Sequence, residues 1–271
     1  MAEEFPHYIE FRHVYKTFDK PVLVDSCFHV DAGQTVAIIG RSGVGKSVTL
    51  GTIMGFLKPD QGRVIVAHED VTDFNDTEMN RIRRKVTMVF QSGALFDSLT
   101  VGENILFSLE QRQDYNDANR EAVVDGLLKL VDIADAKDAY PSDLSTGYRR
   151  AVAIARALAA EPQCILYDEP TTMVDPIMSD HMTLLMLRLK KDLKLTSVVV
   201  THDLDLMNRV ADAVVFLNKG HVAFFGPPAE MYHSDNPDIQ DFLELDKVIR
   251  GAGIPENDPF RAGLGGVANE A

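Results

Sequence analysis

The stretch GRSGVGKS at residues 40–47 is the most informative part of the sequence. It matches the pattern GxxxxGK[ST] and lies between an apolar strand-like run at residues 35–39 and an apolar helix-like run at residues 46–56. Backbone N–H groups of such a turn bind phosphate oxygens, Lys46 reaches the outer phosphates, and the hydroxyl of Ser47 ligates Mg²⁺. The stretch therefore predicts a P-loop that binds the phosphates of a nucleotide.

The overall charge argues against nucleic acid as a partner. The 271 residues include 27 basic and 41 acidic side chains, a net charge of −14, and 45% of the residues are hydrophobic. A nucleic-acid binder needs basic surface to neutralise phosphates. We therefore expect a globular protein that holds its anionic ligand by local geometry.

Cysteine usage and the N-terminal sequence indicate a cytoplasmic location. Cys27 and Cys164 are far apart in sequence, and we predict that both are buried free thiols in a reducing compartment. The first residues lack the pattern of a secretory signal, and no apolar run reaches the roughly 18 residues that would indicate a membrane span. We expect the protein to contact a membrane only through another subunit.

The order of strand-like and helix-like segments predicts an α/β fold. Strands alternate with helices after residue 35, which predicts a parallel sheet covered by helices. Earlier short strands, at residues 9–14, 28–30 and 63–66, predict a small antiparallel sheet. A regular helical face, predicted to belong to the core, is formed by Met178, Met182, Leu185, Leu189 and Leu193.

Domain limits follow from the same patterns. We assign one nucleotide-binding domain to residues 8–245, with a helical subdomain at about residues 92–160. Residues 246–271 are rich in Gly, Pro and Ala and have too few large apolar residues for a core. This tail is expected either to be disordered or to clasp the other subunit or a regulatory partner. The basic run at residues 81–85 is either a solvated face or a contact for lipid headgroups or a permease loop.

Two adjacent acids follow a buried strand-like run. Asp168 and Glu169 come directly after residues 164–167, CILY, where open α/β sheets place their ligands. In P-loop enzymes an aspartate at this place holds the Mg²⁺ shell. Glu169 is suited to orient or deprotonate the attacking water.

Two more polar residues follow strand-like runs. His202 comes after SVVVT and can donate a hydrogen bond to a terminal phosphate. Gln91 follows residues 86–90 and can contact Mg²⁺ or water, or be an ordinary loop residue.

Together these motifs resemble the ATP-binding subunit of ABC transporters over residues 8–232. In chain order the matching motifs are the Walker A loop at residues 40–47, the Q-loop residue Gln91, the signature LSTGY at residues 144–148, the Walker B strand at residues 164–168, the catalytic base Glu169, the D-loop ending at Asp175 and the switch histidine His202. The resemblance implies a P-loop core of the ABC ATPase type with a helical signature subdomain.

The resemblance also implies three groups of site residues. The expected catalytic residues are Glu169, His202 and Gln91, and the expected Mg²⁺ ligands are Ser47, Gln91 and Asp168. The residues expected to bind ATP are Phe18, Gly40, Arg41, Ser42, Gly43, Val44, Gly45, Lys46, Ser47, Val48, Ser145, Thr146, Gly147, Tyr148 and Asp175. Phe18 lies where the family stacks an aromatic ring on adenine, and Tyr15 is the alternative.

The signature implies a head-to-tail homodimer. In the family, each ATP lies between the P-loop of one subunit and the signature of the other. Here Thr146 stands where the family usually has glycine, and Tyr148 replaces a glutamine. Because a β-branched residue tolerates positive φ poorly, we expect Thr146 to loosen this half-site and Thr146→Gly to hydrolyse ATP faster.

Three stretches narrow the resemblance to the ATPases of Mce/Mla-type phospholipid transporters. They are FQSGALFDSLTVGENI at residues 90–105, GKSVTL at residues 45–50 and DEPTTMVDPIMSD at residues 168–180. The resemblance implies phospholipid transport between bacterial inner and outer membranes, with the chain on the cytoplasmic face of the inner membrane. The implied partners are an integral membrane permease, an MCE lipid-binding protein and, as a further candidate, a small cytosolic regulatory subunit.

Other readings remain open at this level. Within the family, the chain could serve small-solute transport or regulate a membrane process without transport. A nucleotide-dependent scaffold in DNA repair or translation would need a basic surface, coiled-coil insertions or tandem cassettes. A small-molecule kinase would not explain the signature helix or His202.

Overall fold

The computed structural model describes residues 5–110, 112 and 117–249, so most of the predicted tail, residues 250–271, lies outside the described residues. The strands are β1 Ile9–Thr17, β2 Pro21–Val30, β3 Thr35–Ile39, β4 Gln61–Val66, β5 Glu69–Asp70, β6 Val86–Val89, β7 Cys164–Asp168, β8 Thr196–Val200, β9 Ala213–Asn218 and β10 His221–Gly226. The helices are α1 Lys46–Ile53, α2 Asp76–Lys85, α3 Val101–Leu109, α4 Arg120–Leu130, α5 Thr146–Ala159, α6 Pro176–Leu193, α7 Leu204–Val210, α8 Pro228–Tyr232 and α9 Pro237–Ile249.

The chain divides after Pro228 into two compact units. The larger unit holds both sheets and helices α1 to α7. In the smaller unit, the Nε2 of Gln240 on α9 donates a hydrogen bond to the carbonyl of Ser234 at 2.7 Å. This bond joins α9 to the loop that precedes it.

The first sheet is the predicted antiparallel one, with strand order β2-β1-β4-β5. Its strands pair in antiparallel register, for example Phe11 with Phe28 across β1 and β2. Both rings are buried and stack with their centroids 4.6 Å apart. The sheet therefore has one apolar face, which packs in the same hydrophobic cluster as β3 and α1.

The second sheet has the order β10-β9-β3-β8-β7-β6. Neighbouring strands from β9 to β6 are parallel, as predicted, and β10 is antiparallel to β9. Every residue of β3 and β8 is buried. Because parallel strands end at the same edge, the turns after β3, β8, β7 and β6 open side by side.

The turn after β3 depends on glycine geometry. Gly40 has φ 145°, and a Cβ added there would lie 2.3 Å from the carbonyl oxygen of Leu217 on β9. Gly45 has φ 114°, and its Cβ would lie 2.8 Å from the carbonyl oxygen of Val22. Side chains at these positions would push the turn away from the strands that support it.

A loop and helix α3 follow Gln91. The buried side chain of Asn104 on α3 accepts a hydrogen bond from the Phe96 N–H at 2.8 Å and donates to the carbonyls of Phe96, Leu99 and Thr100 at 3.0–3.1 Å. These bonds provide partners for backbone N–H and C=O groups of the loop between β6 and α3 and hold the loop in one conformation.

The signature helix corrects one expectation. Ser145 is the N-cap of α5, and its Oγ accepts a hydrogen bond from the N–H of Tyr148 at 3.3 Å. Thr146 is the first helical residue and is not among the residues with positive φ. The premise that Thr146 must adopt positive φ is wrong, and the expected gain from Thr146→Gly loses its reason.

Burial differs from the sequence predictions at two further places. Cys164 is buried, but Cys27 is exposed, because the backbone places Cys27 on the outward face of β2. On α6, Met182, Leu185 and Leu189 are buried as predicted, whereas Met178 is only half-buried and Leu193 is 51% exposed. Leu193 is the last residue of α6, where the helix leaves the core.

The basic run on α2 is largely paired within the chain. Arg81 and Lys85 both contact the carboxylate of Glu69, at 2.6 and 3.0 Å, and Arg83 contacts Asp76 at 3.2 Å. These pairs favour the solvated-face interpretation. Among the helices that the structure describes, none is both long and apolar enough to cross a membrane.

Candidate nucleotide-binding site

A cavity of about 480 Å³ opens where the parallel strands end. It is lined by Phe18, Val22, Ser42, Gly43, Gly45, Lys46, Ser47, Val48, Gln91, Asp168, Glu169, Thr172 and His202. The lining thus comes from the turn after β3, the loop after β6, the ends of β7 and β8, and the β1–β2 hairpin. Residues up to 184 positions apart in sequence meet here, from Phe18 to His202.

The P-loop side of the cavity offers an uncapped helix N-terminus. Gly45 is the N-cap of α1 and has no side chain to satisfy the first-turn N–H groups. Lys46 folds over the turn, where its Nζ donates to the carbonyls of Gly40 at 2.8 Å and Arg41 at 3.2 Å. Free N–H groups, a helix dipole and a lysine together suit a phosphate chain.

Burial and nearby carboxylates have opposite effects on the pKa of Lys46. Desolvation lowers the pKa of its ammonium, and the negative charges of Glu169 and Asp168 oppose that shift. An anion bound in the turn would add further negative charge beside Lys46. The cation is therefore better compensated when the cavity holds a polyphosphate.

The opposite wall carries the two acids that follow β7. Burial raises the pKa of Asp168, the charge of Glu169 raises it further, and the cations Lys46 and Arg150 lower it. The site therefore holds a carboxylate whose negative charge is not fully compensated. A cation beside Asp168 would relieve this.

Glu169 is held by contacts from three directions. Its N–H donates to the carbonyl of Val200 on β8 at 2.9 Å, and its φ of 48° turns the chain away from β7. Its Oε2 accepts a hydrogen bond from Thr172 Oγ1 at 3.0 Å and lies 2.8 Å from Nδ1 of His202. The carboxylate is therefore held in one position in the wall of the cavity.

The donor set fits a magnesium ion. Ser47, Gln91 and Asp168 all line the cavity, and each offers an oxygen as a hydroxyl, an amide or a carboxylate. Mg²⁺ prefers oxygen ligands of these kinds and keeps several waters. The undercompensated charge of Asp168 agrees with this assignment.

Of the two residues predicted to stack on adenine, Phe18 lines the cavity and Tyr15 does not. Phe18 is 52% exposed and lines the cavity, and its ring faces Lys16 Nζ at 5.5 Å. Tyr15 is half-buried and is not among the lining residues. This placement favours Phe18 over Tyr15.

The signature residues do not line this cavity. Ser145 caps α5, and Gly147 is packed so closely that an added Cβ would lie 2.8 Å from Cγ of Met178. Thr146 lines a second cavity of about 630 Å³, which also reaches Gln91 and Asp168. Within one chain, the signature and the P-loop therefore face different spaces.

Several residues predicted to bind ATP do not line the cavity. Gly40, Arg41 and Val44 belong to the P-loop but are not lining residues, although Gly40 and Arg41 bind Lys46 through their carbonyls. Tyr148 is also absent from the lining. Asp175 is the N-cap of α6, and its side chain accepts a hydrogen bond from the N–H of Met178 at 3.0 Å.

Sequence reasoning missed Thr172, Arg150 and Val22. Arg150 on α5 is buried, and its guanidinium donates to the carbonyls of Phe90 at 2.7 Å and Thr172 at 3.5 Å. It thereby ties the signature helix to the chain segments beside Gln91 and Glu169. Thr172 lies three positions after Glu169, a local signal that could have identified it, whereas only the tertiary structure brings Arg150 and Val22 to the site.

The family profile and the curated relatives that match this chain indicate the same family. Residues 23–172 match the family profile described as ABC transporter. The methionine import ATP-binding protein MetN 2 of Pseudomonas entomophila is 35% identical over 247 residues, covering 89% of this chain and 74% of that protein. The sulfate/thiosulfate import ATP-binding protein CysA of Thermosynechococcus vestitus is 40% identical over 222 residues, covering 82% of this chain and 64% of that protein.

Solved structures show the same fold. The ATP-binding cassette MJ0796, in a dimeric post-hydrolysis state bound to ADP and Pi, superposes with a TM-score of 0.75 at 30% identity, covering 81% of this chain and 98% of that one. CbiO1 from Clostridium perfringens, described as part of the ABC transporter complex CbiONQ, gives a TM-score of 0.79 at 26% identity, covering 92% of this chain and 100% of that one.

Proposed function

The chain belongs to the ABC transporter family as an ATP-binding and ATP-hydrolysing subunit, and we propose that it powers phospholipid transport between bacterial inner and outer membranes through a separate permease. The observation that carries the ATPase part is the cavity that joins Lys46 to Asp168 and Glu169. The lipid part is supported by the three stretches that resemble Mce/Mla-type ATPases, at residues 45–50, 90–105 and 168–180.

Glu169 is the proposed base for hydrolysis. Its carboxylate accepts the proton of the attacking water, while Thr172 and His202 hold it in place through Oε2. Lys46 and the first N–H groups of α1 bind the phosphates. Ser47, Gln91 and Asp168 would hold Mg²⁺, which when bound neutralises charge on the β- and γ-phosphates.

A second copy of the chain completes the site in this proposal. The signature N-cap Ser145 does not line the cavity of its own chain, yet it begins a helix whose N-terminus suits an anion. A head-to-tail homodimer brings this helix start to the ATP of the partner. Closure of the dimer over ATP then pulls on the permease, and product release reopens it.

A dimerisation assay tests this composite site. In the Glu169→Gln background, ATP should stabilise a dimer, as measured by light scattering after size exclusion. Ser145→Arg should abolish the dimer while the monomer still binds ATP, and Lys46→Ala should abolish ATP binding itself. The nearby exposed Ser142→Arg is the matched control. Full dimerisation of the Ser145→Arg protein would refute the shared site.

The surface beside Gln91 supports a permease partner. Phe96 and Phe107 are 43% and 44% exposed, and their rings contact edge to face with centroids 4.8 Å apart. Phe96 lies in the loop between β6 and α3, and Phe107 lies on α3. An exposed aromatic pair in the segment that follows Gln91 is suited to a protein contact. We place the chain on the cytoplasmic face of the inner membrane, together with an MCE protein.

A second candidate function is import of a small solute. It is favoured by the identities to a methionine import ATPase, 35%, and to a sulfate/thiosulfate import ATPase, 40%. Membrane vesicles that contain the native complex can separate the two. The lipid proposal expects ATP-dependent transfer of a fluorescent phospholipid to acceptor vesicles, abolished by Glu169→Gln. ATP-dependent uptake of labelled methionine or sulfate without lipid transfer would support the second candidate.

A further inference from the structure

Three side chains with metal-ligating atoms meet on the antiparallel sheet, away from the cavity residues. They are His7, His29 and Asp31, here called the His7 cluster. Nδ1 of His7 lies 2.5 Å from Oδ1 of Asp31, and the two imidazole rings stack with centroids 3.8 Å apart at 21°. One ligand atom from each residue lies within 4.8 Å of the others.

The backbone fixes the cluster before any ligand is present. The N–H of Tyr8 donates to the carbonyl of Val30 at 2.9 Å, which places His7 next to the end of β2. Asp31 is held in a turn by two bonds with Gln34, from the Asp31 N–H to Oε1 and from the Gln34 N–H to the Asp31 carbonyl, both 3.0 Å. The side chain of Asp31 takes no part in these bonds, so its carboxylate is available to the imidazoles.

The ring of His29 is held beside that of His7 by its neighbours. It is half-buried and packs edge-on against Phe225 with centroids 4.8 Å apart, while it stacks on His7. This packing keeps the two imidazoles close enough to contribute ligands to one ion.

The charge around the cluster suits one divalent cation. Asp31 supplies one negative charge directly. Glu10 pairs with His29 across β1 and β2, and its carboxylate is held by Arg12 at 2.8 Å. Glu10 is thus engaged by Arg12, whereas the carboxylate of Asp31 lies at hydrogen-bond distance from His7.

We propose that His7, His29 and Asp31 bind a divalent transition metal ion, zinc foremost, with the remaining coordination position open to water. Two imidazoles and a carboxylate match the ligands that zinc takes in proteins with an open site. In a tetrahedral site with bonds of about 2.0 Å, ligand atoms lie roughly 3.3 Å apart. The present separations, 2.5 Å between His7 and Asp31 and up to 4.8 Å within the cluster, lie on either side of this distance.

A second group of potential ligands makes the choice of experiment important. His13, Asp25 and Cys27, here called the His13 cluster, also lie within 4.8 Å of one another. The side chain of His13 is 76% exposed, compared with 27% for His7, whereas the two carboxylates are similarly exposed, 50% for Asp25 and 55% for Asp31. The His13 cluster is therefore less enclosed at its imidazole, and the experiment removes its ligands first.

Equilibrium dialysis against Zn²⁺ alone, on full-length protein without a histidine tag and without nucleotide, tests the proposal. The parent is the His13→Asn/Cys27→Ser variant, which lacks two ligands of the His13 cluster. We expect it to bind one Zn²⁺ per chain at the His7 cluster. Since removal of even an indirect partner of a metal site costs about 10- to 100-fold in affinity, His29→Asn and Asp31→Asn should each weaken binding at least about tenfold.

His221→Asn is the matched control, because His221 is exposed and belongs to neither cluster. Asp31 is also exposed, so Asp31→Asn should keep its fold, and circular dichroism verifies this. Cobalt substitution gives an independent readout. The parent should show visible d–d bands that Asp31→Asn alters, without a sulfur-to-cobalt charge-transfer band.

Each result of these experiments either supports or overturns the zinc site. Loss of stoichiometric zinc in His29→Asn and Asp31→Asn, with His221→Asn unchanged, supports the site. Absence of zinc binding by the parent, or equal affinity in the parent and Asp31→Asn, overturns it. Zinc binding only when the His13 cluster is intact would also overturn it and move the metal to that cluster.

Discussion

Nδ1 of His202 lies 2.8 Å from Oε2 of Glu169, at the ends of the neighbouring parallel strands β8 and β7. The Glu169 side chain is only 14% exposed, whereas that of His202 is 62% exposed. The histidine thus contacts both the buried carboxylate and the open side of the cavity. It can hold the base while it faces a bound phosphate.

The first prediction concerns Glu169 itself. Glu169→Gln should lower the turnover of ATP by about 10²- to 10⁴-fold, the range expected for loss of a general base. ATP binding should persist, because the P-loop contacts are unchanged. Phosphate release and nucleotide binding measure the two effects. The exposed Glu110→Gln is a matched control, and sustained turnover by Glu169→Gln would assign the base to another group.

The second prediction concerns the residues that hold the base. His202→Ala should lower kcat by about 10- to 100-fold, since a hydrogen bond to a charged group contributes about 1.5–3 kcal/mol. Thr172→Val, which removes the other contact to the same oxygen, should have a smaller effect. In the Glu169→Gln background, His202→Ala should cause little further loss of turnover, because residues that act as a unit are not additive. An undiminished loss in that background would show that His202 acts independently of Glu169.

The third prediction compares two glycines of one loop. Gly40→Ala places a Cβ 2.3 Å from the carbonyl of Leu217, whereas nothing lies within 4 Å of a Cβ at Gly43, and both have positive φ. Gly43→Ala should cost about 1–2 kcal/mol in unfolding free energy from backbone strain. Gly40→Ala should cost about 1–3 kcal/mol more because of the clash. Urea unfolding measures both, and equal losses would contradict the structure.

The fourth prediction concerns pH and Asp168. Burial and the charge of Glu169 raise the pKa of Asp168 above its ordinary value of 3.8. A carboxyl group with a raised pKa in the folded state destabilises the fold as pH rises above the unfolded value, and the penalty is complete above the folded value. Asp168→Asn should therefore raise the Tm of the nucleotide-free protein at neutral pH.

This stabilisation should shrink as pH falls towards 3.8, and the variant should lose Mg²⁺-dependent ATP binding. Differential scanning calorimetry across the pH range measures the first effect. The exposed Asp73→Asn is the control for the substitution itself. A lower Tm for Asp168→Asn at neutral pH would show that the carboxylate stabilises the free protein.

Local patterns predicted much of the fold and the acidic wall of the cavity. The glycine turn after β3 and the polar residues after β7 and β8 could be identified, because each follows a buried strand in sequence. Their meeting follows from a general property of parallel sheets, whose strand ends share an edge. No comparable rule predicts that Arg150 joins the carbonyls of Phe90 and Thr172.

Two sequence predictions were wrong because they depended on local backbone conformation. Thr146 was expected to need positive φ, but the Ser145 cap places it as the first residue of α5. Cys27 was expected to be buried, but strand register turns it outward on β2. Cap geometry and strand register depend on neighbouring elements, so residue type alone did not determine them.

Co-purification from native membranes is the most direct test of the proposed lipid transport. Tagged Glu169→Gln protein, expected to hold ATP and remain assembled, would be isolated from its native membranes in mild detergent and analysed by mass spectrometry for proteins and lipids. We expect a permease, an MCE protein and phospholipid to be recovered together. A different permease without phospholipid would contradict the proposed cargo, and recovery of no membrane protein would contradict the proposed coupling to a permease.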